Sequence, residues 1–478
     1  MGRVPTSSEQ PQTELQSSAG TLERPEPRSL AFRAPHPQAH PTRAHPTAIA
    51  TGIYAGAVGV LVLWWSNAEP TTGLGDWLTE VGRITGLLAG YLVVVLLALM
   101  ARIPALERGI GSDRLARWHG LGGRYTVTLV VLHALTITWG YAVTANTGVI
   151  EQGATLVLTY PDMLMATVGG LLFVAIGVTS AGAARRRLRY ETWHFIHFYT
   201  YLAIALSFAH QFSTGKDFVD NPSVRIAWGT LYVVVGALVV WFRFLGPLRL
   251  AFRHQLRVTD VVRESDDIVS IYMTGVRLYQ LAAEPGQFFR WRILARGLWY
   301  SANPYSLSAP VHPELIRITV RLAGDHSQAL AAVGPGTWVF PEGPYGAFTS
   351  GKQTRRKVLL LGGGVGVTPL RTLFETLPVA PGDLTMIYRA SRAADVIFRD
   401  EFEVLAAQAG HAVHFVVGSR SELGHDPLDS WHLTTLLPDL VEHDVYLCGP
   451  PGMVASALRG LREAGVPERR IHLESFEF

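Results

Sequence analysis

Cysteine is almost missing: Cys448 is the only one in 478 residues, so no intramolecular disulfide forms and a cysteine-ligated iron–sulfur cluster is excluded. Charge is scarce too. Asp, Glu, Lys and Arg make up 17% of the chain and the net charge is +3, with no basic helix or RNA-binding motif, which excludes nucleic acid as a partner. The first residues lack the charged-then-apolar pattern of a secretory leader. Residues 1–47 also lack apolar runs; their eight prolines, scattered among Ser, Thr and Gln, read as a disordered tail. What remains is hydrophobic, 48% of the chain, which points to a protein partly dissolved in lipid.

Six apolar runs follow the tail, at about 48–66, 84–101, 120–141, 163–184, 192–212 and 224–245, each near the roughly 20 residues that cross a bilayer. Arginines cluster in alternate connections: Arg102 to Arg117, Arg185 to Arg189, and Arg249 to Arg257. The opposite loops, 67–82, 143–162 and 211–223, hold only Lys216 as a Lys or Arg. The positive-inside rule then predicts an integral membrane domain of six spans at 48–247, in the plasma or inner membrane, with both termini cytoplasmic. From 252 to 350 apolar and polar residues alternate and break at Gly and Pro, as antiparallel strands do. From 356 to 478 buried-type strands such as "KVLLLGGG" and "DVYLCG" alternate with helix-length segments, which predicts a parallel α/β domain.

An ionisable side chain inside a membrane needs a reason. The third run carries His119 and His133, 14 residues apart; the fifth carries His197 and His210, 13 apart. At about 1.5 Å per residue each pair spans roughly 20 Å, so one histidine per helix lies near each leaflet. Imidazoles facing one another on two helices are what a planar haem iron needs on its two faces. Four at matched depth predict two haems of the b type. Thirteen residues leave His197 and His210 about 140° apart on an ideal helix, so a π-bulge or local unwinding is expected between them. His194 is also out of phase and is read as a residue of the membrane surface.

In the C-terminal part, "LLLGGGVGVTPL" follows a strand and opens a helix, where glycines let a phosphate approach backbone N–H groups. Gly364-x-Gly366-x-x-Pro369 has Pro where the usual dinucleotide fingerprint ends in Gly. Three further segments accompany it: "NPYSLS" at 303–308, "GDHSQAL" at 324–330 and "YLCGPPGM" at 446–453. In this order the motifs resemble the ferredoxin–NADP reductase superfamily. Joined to six spans with paired histidines, they resemble the NADPH oxidase and ferric reductase family over residues 48–478.

The resemblance implies an FAD-binding β-barrel at 252–350 and an NAD(P)-binding domain at 356–478. In "NPYSLS", Tyr305 would pack on the flavin and Ser306 would bond near its N5, while Asn303 stands where the family has Arg or His. Gly324 and Ser327 would cradle the FAD pyrophosphate. Gly362, Gly363, Gly364, Gly366, Thr368 and Pro369 would form the NAD(P) pyrophosphate loop. Cys448, with Gly449, Pro450 and Met453, would lie beside the nicotinamide. In the terminal "LESFEF", Phe476, or failing that Phe478, would shield the flavin. Ser391 and Arg392 follow the second strand of the α/β domain, where a cation suits the 2′-phosphate of NADPH, although NADH stays open. Arg83 resembles an arginine that the family holds near the outer haem, where it would attract superoxide or an anionic ferric chelate.

The expectation is therefore a transmembrane oxidoreductase passing electrons from cytoplasmic NAD(P)H through FAD and two haems to an outer one-electron acceptor, oxygen or ferric iron. The alternatives are a haem-anchored supplier of electrons to an extracytoplasmic redox partner, and a membrane-anchored flavin reductase without haem. A homo-oligomer is compatible with either.

Overall fold

In the computed structural model residues 45–188 and 190–474 are described, apart from the side chains at 113, 183, 190 and 191. The membrane part comprises α1 (Pro46–Ser66), α2 (Leu74–Leu99), α3 (Ser112–Ala145), α4 (Met163–Ser180), α5 (Tyr190–Phe198), α6 (Thr200–Thr214) and α7 (Pro222–Val240). Five helices among the described residues are long and apolar enough to cross a membrane. The fifth apolar run is not one of them, because it is divided at Tyr199 into α5 and α6. Tyr199 N–H bonds the Ile196 carbonyl, a three-residue step, and Thr200 Oγ1 takes the His197 carbonyl at 2.5 Å, away from the helical ladder. Where a π-bulge or unwinding was expected, the chain makes a tightened turn. The π-turn among these helices lies elsewhere, at Trp241–Leu245, leading into α8 (Gly246–His254).

Small residues bring α2 and α3 together. A Cβ on Gly75 would lie 2.4 Å from Thr144 Oγ1, one on Gly82 2.5 Å from Ile137, and one on Gly140 2.5 Å from Thr79 Oγ1. Close helix approach through glycine is the usual device where lipid offers no hydrophobic drive to association.

The β-rich domain contains β1 (Arg257–Ser265), β2 (Ile268–Thr274), β3 (Phe288–Ile293), β4 (Asn303–Ser306), β5 (Ile316–Arg321) and β6 (Val339–Tyr345), with a short α9 (Asp325–Leu330) between β5 and β6. They form two three-stranded antiparallel sheets, β1-β2-β5 and β4-β3-β6, where a single barrel was expected. Single bridges, Leu307 with Ile318 and Arg257 with Trp338, join the sheets at both margins. The strands thus come round almost to closure without continuous ladders. Pro304 in β4 and Pro341 and Pro344 in β6 supply no N–H for such ladders. Ile271, Met273, Phe289, Trp291 and Ile318 fill the space between the sheets.

The last domain is a five-stranded parallel sheet in the order β11 (Ile471–Glu474), β10 (Asp444–Cys448), β7 (Val358–Gly363), β8 (Leu384–Ala390), β9 (Ala412–Val417). Helices α10 (Val367–Thr376), α11 (Arg399–Ala409) and α12 (Pro451–Glu463) follow β7, β8 and β10. Successive residues of β7 belong to two cores: Val358 and Leu360 to one, Leu359 and Leu361 to the other. A strand covered on both faces needs that unbroken apolar run. The strand order reverses between β7 and β10, which makes their carboxyl ends a topological switch point.

Candidate functional site

Within the membrane helices the four paired histidines meet two by two. The rings of His119 and His197 have centres 5.9 Å apart, and those of His133 and His210 are 6.3 Å apart. Two imidazoles that bind one ion from opposite sides, at about 2 Å per bond, have ring centres about 6 Å apart. The two histidines of the fifth run meet their partners from either side of the break at Tyr199, one from α5 and one from α6. His133 Nδ1 donates to the Gly82 carbonyl at 2.8 Å, and His119 Nδ1 to the Leu96 carbonyl at 3.3 Å. His197 Nδ1 lies 3.5 Å from Ser180 Oγ, which also accepts from Trp193 Nε1 at 3.2 Å. A ring that donates from Nδ1 keeps its lone pair on Nε2, the atom a metal takes. His210 Nδ1 is buried without a partner among the described residues. The donor set and ring spacing fit a bis-imidazole haem at each level, and the tautomers of His119 and His133 leave an Nε2 lone pair for it at each. His194 faces Trp193 and Phe198 instead, with ring centres 6.3 and 6.0 Å away.

The supporting residues were not apparent in the sequence. Gly86 leaves the room that His133 fills: a Cβ there would lie 2.6 Å from His133 Nδ1. The glycine spacing Gly82-x-x-x-Gly86-x-x-x-Gly90 on one apolar run was the available signal. Arg83 is not a free cation. Its guanidinium donates to Glu80 at 2.6 Å and to Asp217 at 2.8 Å, and Glu80 also accepts from Trp64 Nε1 at 2.9 Å.

In the β-rich domain Asn303, Tyr305 and Ser306 share β4, opposite Trp291, Phe289 and Phe288. Burial pushes the Tyr305 phenol up to about 12. The Ser306 hydroxyl is buried without a hydrogen-bond partner, which fits an acceptor or donor on a flavin ring. Asn303 Nδ2 lies 2.7 Å from His326 Nδ1, so an imidazole stands beside the position where Asn303 was expected to replace an Arg or His. His326 belongs to no sequence signature, since the motif it sits in is defined by its ends, Gly324 and Ser327. Ser327 Oγ accepts from the N–H groups of Ala323 and Gly324 at 2.9 and 3.0 Å and fastens the turn that opens α9.

At the switch point of the parallel sheet lies a cleft of about 990 Å³. Its lining includes Gly363, Gly364, Gly366, Ser391, Arg392, Gly449, Pro450 and Met453, brought together from three strand ends. Backbone crowding explains the glycines. A Cβ on Gly366 would meet the Cys448 carbonyl at 2.6 Å, one on Gly363 the Arg389 carbonyl at 2.5 Å, and Gly364 has φ +56°. Gly362, Thr368 and Pro369 lie behind this wall, buried at the end of β7 and the start of α10. Cys448 is 0% exposed and packs with Leu360 and Val367; burial pushes its thiol well up. Arg392 is paired with Asp395 at 2.6 Å. Arg389 and Arg420 also line the cleft, and neither belongs to a sequence motif that marks it. Phe476 and Phe478 lie outside the described residues.

Two protein-family models match the chain: "Ferric reductase like transmembrane component" at residues 85–208 and "Oxidoreductase NAD-binding domain" at residues 360–459. The first covers His119, His133 and His197 and stops two residues before His210. A flavohemoprotein of Pseudomonas putida is 30% identical over 285 residues, spanning 55% of this chain and 70% of that protein. An NADPH oxidoreductase of Mycobacterium tuberculosis is 27% identical over 244 residues, spanning 49% of this chain and 63% of that one, under two thirds of its length. Among solved structures, the FAD/NAD-binding domain of nitric oxide dioxygenase from Vibrio cholerae is 24% identical, with a TM-score of 0.38 over 46% of this chain and 98% of that chain.

Proposed function

This chain belongs to the ferric reductase-like family, its transmembrane component fused to a flavin- and NAD(P)-binding reductase module of the ferredoxin reductase type, and on that premise we propose that it carries electrons from cytoplasmic NAD(P)H, through FAD and two b-type haems, to an acceptor outside. The observation that carries the reading is the double histidine pair, at 5.9 and 6.3 Å between ring centres on two membrane segments. FAD, when bound, takes two electrons as hydride and gives them up singly, and haem iron carries one at a time.

The chain's own residues have separable tasks in this scheme. The glycines at the switch point let a pyrophosphate approach backbone N–H groups at the start of α10. The Cys448 carbonyl backs Gly366 of the glycine loop, with its thiol buried behind it, and Tyr305 and Ser306 offer the flavin a buried face and one hydroxyl. His119 and His197 would hold the inner haem, His133 and His210 the outer, each by Nε2. Leu96, Ser180 and Gly82 keep three of the rings turned the right way.

The outer acceptor we favour is oxygen. The loops read as outer hold Lys216 as their only Lys or Arg against Glu69, Asp76, Glu80, Glu151, Asp162, Asp217 and Asp220, and Arg83 beside them is held by Glu80 and Asp217. Such a surface repels an anionic ferric chelate and is indifferent to oxygen. The test is a reduced-minus-oxidised spectrum of the detergent-purified protein with haem quantification. Two low-spin b haems per chain, reduced by NADPH after FAD is added, support the reading. A folded, flavin-bearing preparation without haem sinks it.

A further inference from the structure

An ion pair between a buried arginine and a half-buried glutamate crosses from the flavin side to the nucleotide side. Arg317, on β5, is 6% exposed. It donates through Nη1 and Nη2 to the two carboxylate oxygens of Glu401, at 2.6 and 2.9 Å, on the first turn of α11. The same Nη2 donates to the Ser308 carbonyl at 2.7 Å, two residues beyond Ser306. From the other side Arg371, on the helix that opens at the glycine loop, donates Nε to Glu401 at 2.7 Å. One carboxylate therefore ties the flavin segment to the nucleotide loop. Phe398 lies under the guanidinium, 4.4 Å from Cζ, and has φ +60°, a conformation an aromatic residue rarely adopts.

Removing two charges from water is costly, and a buried pair of this kind is weak as a source of stability. Its geometry suits a different task. Hydride transfer moves two electrons and one proton together: a C4–H bond of the dihydronicotinamide breaks as a bond to flavin N5 forms, the nucleotide being oxidised and the flavin reduced. The reacting atoms must come within about 3–3.5 Å, and a displacement of about 1 Å costs on the order of a hundredfold in rate. The two partners are carried by different domains, so the angle between the domains sets that distance. We propose that Arg317 and Glu401 form a positioning clamp that fixes the nucleotide domain against the flavin domain for hydride transfer. This rests on the reading of the chain as an NAD(P)H-to-FAD reductase.

The test uses the full-length chain in detergent and compares the wild type with E401Q and with the double variant R317M/E401L. The double variant removes both members of the pair at once, so neither is left facing an apolar replacement, and Arg371 keeps Glu375 as its partner. Spin labels at two exposed positions, introduced as T259C and Q408C, report the distance between the domains in flavin-free protein; buried Cys448 stays unlabelled. Stopped-flow bleaching of bound FAD by NADPH reports the transfer. The clamp predicts a broadened distance distribution in both variants and a limiting bleaching rate lowered about 10- to 100-fold, with FAD content and nucleotide KM within about two-fold of wild type. An unbroadened distribution or a wild-type bleaching rate in the double variant overturns the clamp. Loss of FAD with unchanged distances overturns it too, since the pair would then only support the flavin segment. If wild-type FAD is not bleached by either NADPH or NADH, the reductase reading itself falls and takes the clamp with it.

Discussion

Gly86 faces the His133 imidazole across the α2–α3 contact, and a Cβ there would lie 2.6 Å from Nδ1. The ring cannot retreat without losing the bond its Nδ1 makes to the Gly82 carbonyl at 2.8 Å. G86A should therefore remove the outer haem and leave the inner one, halving haem per chain, at a stability cost of about 1–3 kcal/mol for overpacking. Pyridine haemochrome and a thermal melt check both parts. Cys448 gives a second prediction at this scale. Its folded pKa lies above the ordinary value of about 8.5, so the neutral thiol favours the fold at lower pH and the gain is lost as pH rises through the folded value. Between pH 7 and 8 a maleimide should leave the native protein unlabelled and react once on unfolding; rapid labelling of the native state would contradict the buried placement. The histidines themselves were legible in the sequence, because an ionisable residue in an apolar run stands out. Of their supports, Gly82 and Gly86 show only as a four-residue glycine spacing, and Leu96 and Ser180 not at all, since which histidine each one meets is decided between helices.

At the scale of elements, the division of the fifth apolar run decides whether two haem sites exist. With an unbroken helix, His197 and His210 would point about 140° apart. In the structure the run is broken at Tyr199, where Thr200 Oγ1 bonds the His197 carbonyl, and the two histidines meet their partners on α3 from separate helices. Deleting Tyr199 should rotate α5 by about 100° relative to α6. The expected result is loss of the inner haem with the outer retained, read from haem content and from the surviving spectrum. Retention of both haems would show that the turn does not set the phase. Apolar runs mark the membrane segments without any structure, but a one-residue turn inside such a run leaves hydropathy unchanged and so stays hidden. The β-rich domain follows the same logic. Alternation announces strands, whereas whether two sheets close through ladders or single bridges depends on which edges Pro304, Pro341 and Pro344 occupy.

For the whole molecule the open matter is where the electrons go, and surface charge offers a test. In oriented vesicles supplied with NADPH, oxygen reduction should be insensitive to salt. Reduction of ferric citrate should be slow at about 0.01 M salt and rise several-fold at about 0.15 M, as the Debye length falls from about 30 to 8 Å. A chelate rate that falls with added salt would mean that an anion is attracted, and would restore Arg83 to that role. The sequence by itself determined the partition of the chain into membrane, β-rich and α/β parts, the glycine loop, and the four histidines. Each of these rests on local composition or spacing, and local patterns are written along one dimension. Only the tertiary structure decided that Arg83 is held by Glu80 and Asp217, that the cleft gathers the ends of β7, β8 and β10, and that Arg317 grips Glu401. Those contacts join residues far apart in the chain, and their partners are chosen by packing, which no stretch of the sequence contains alone.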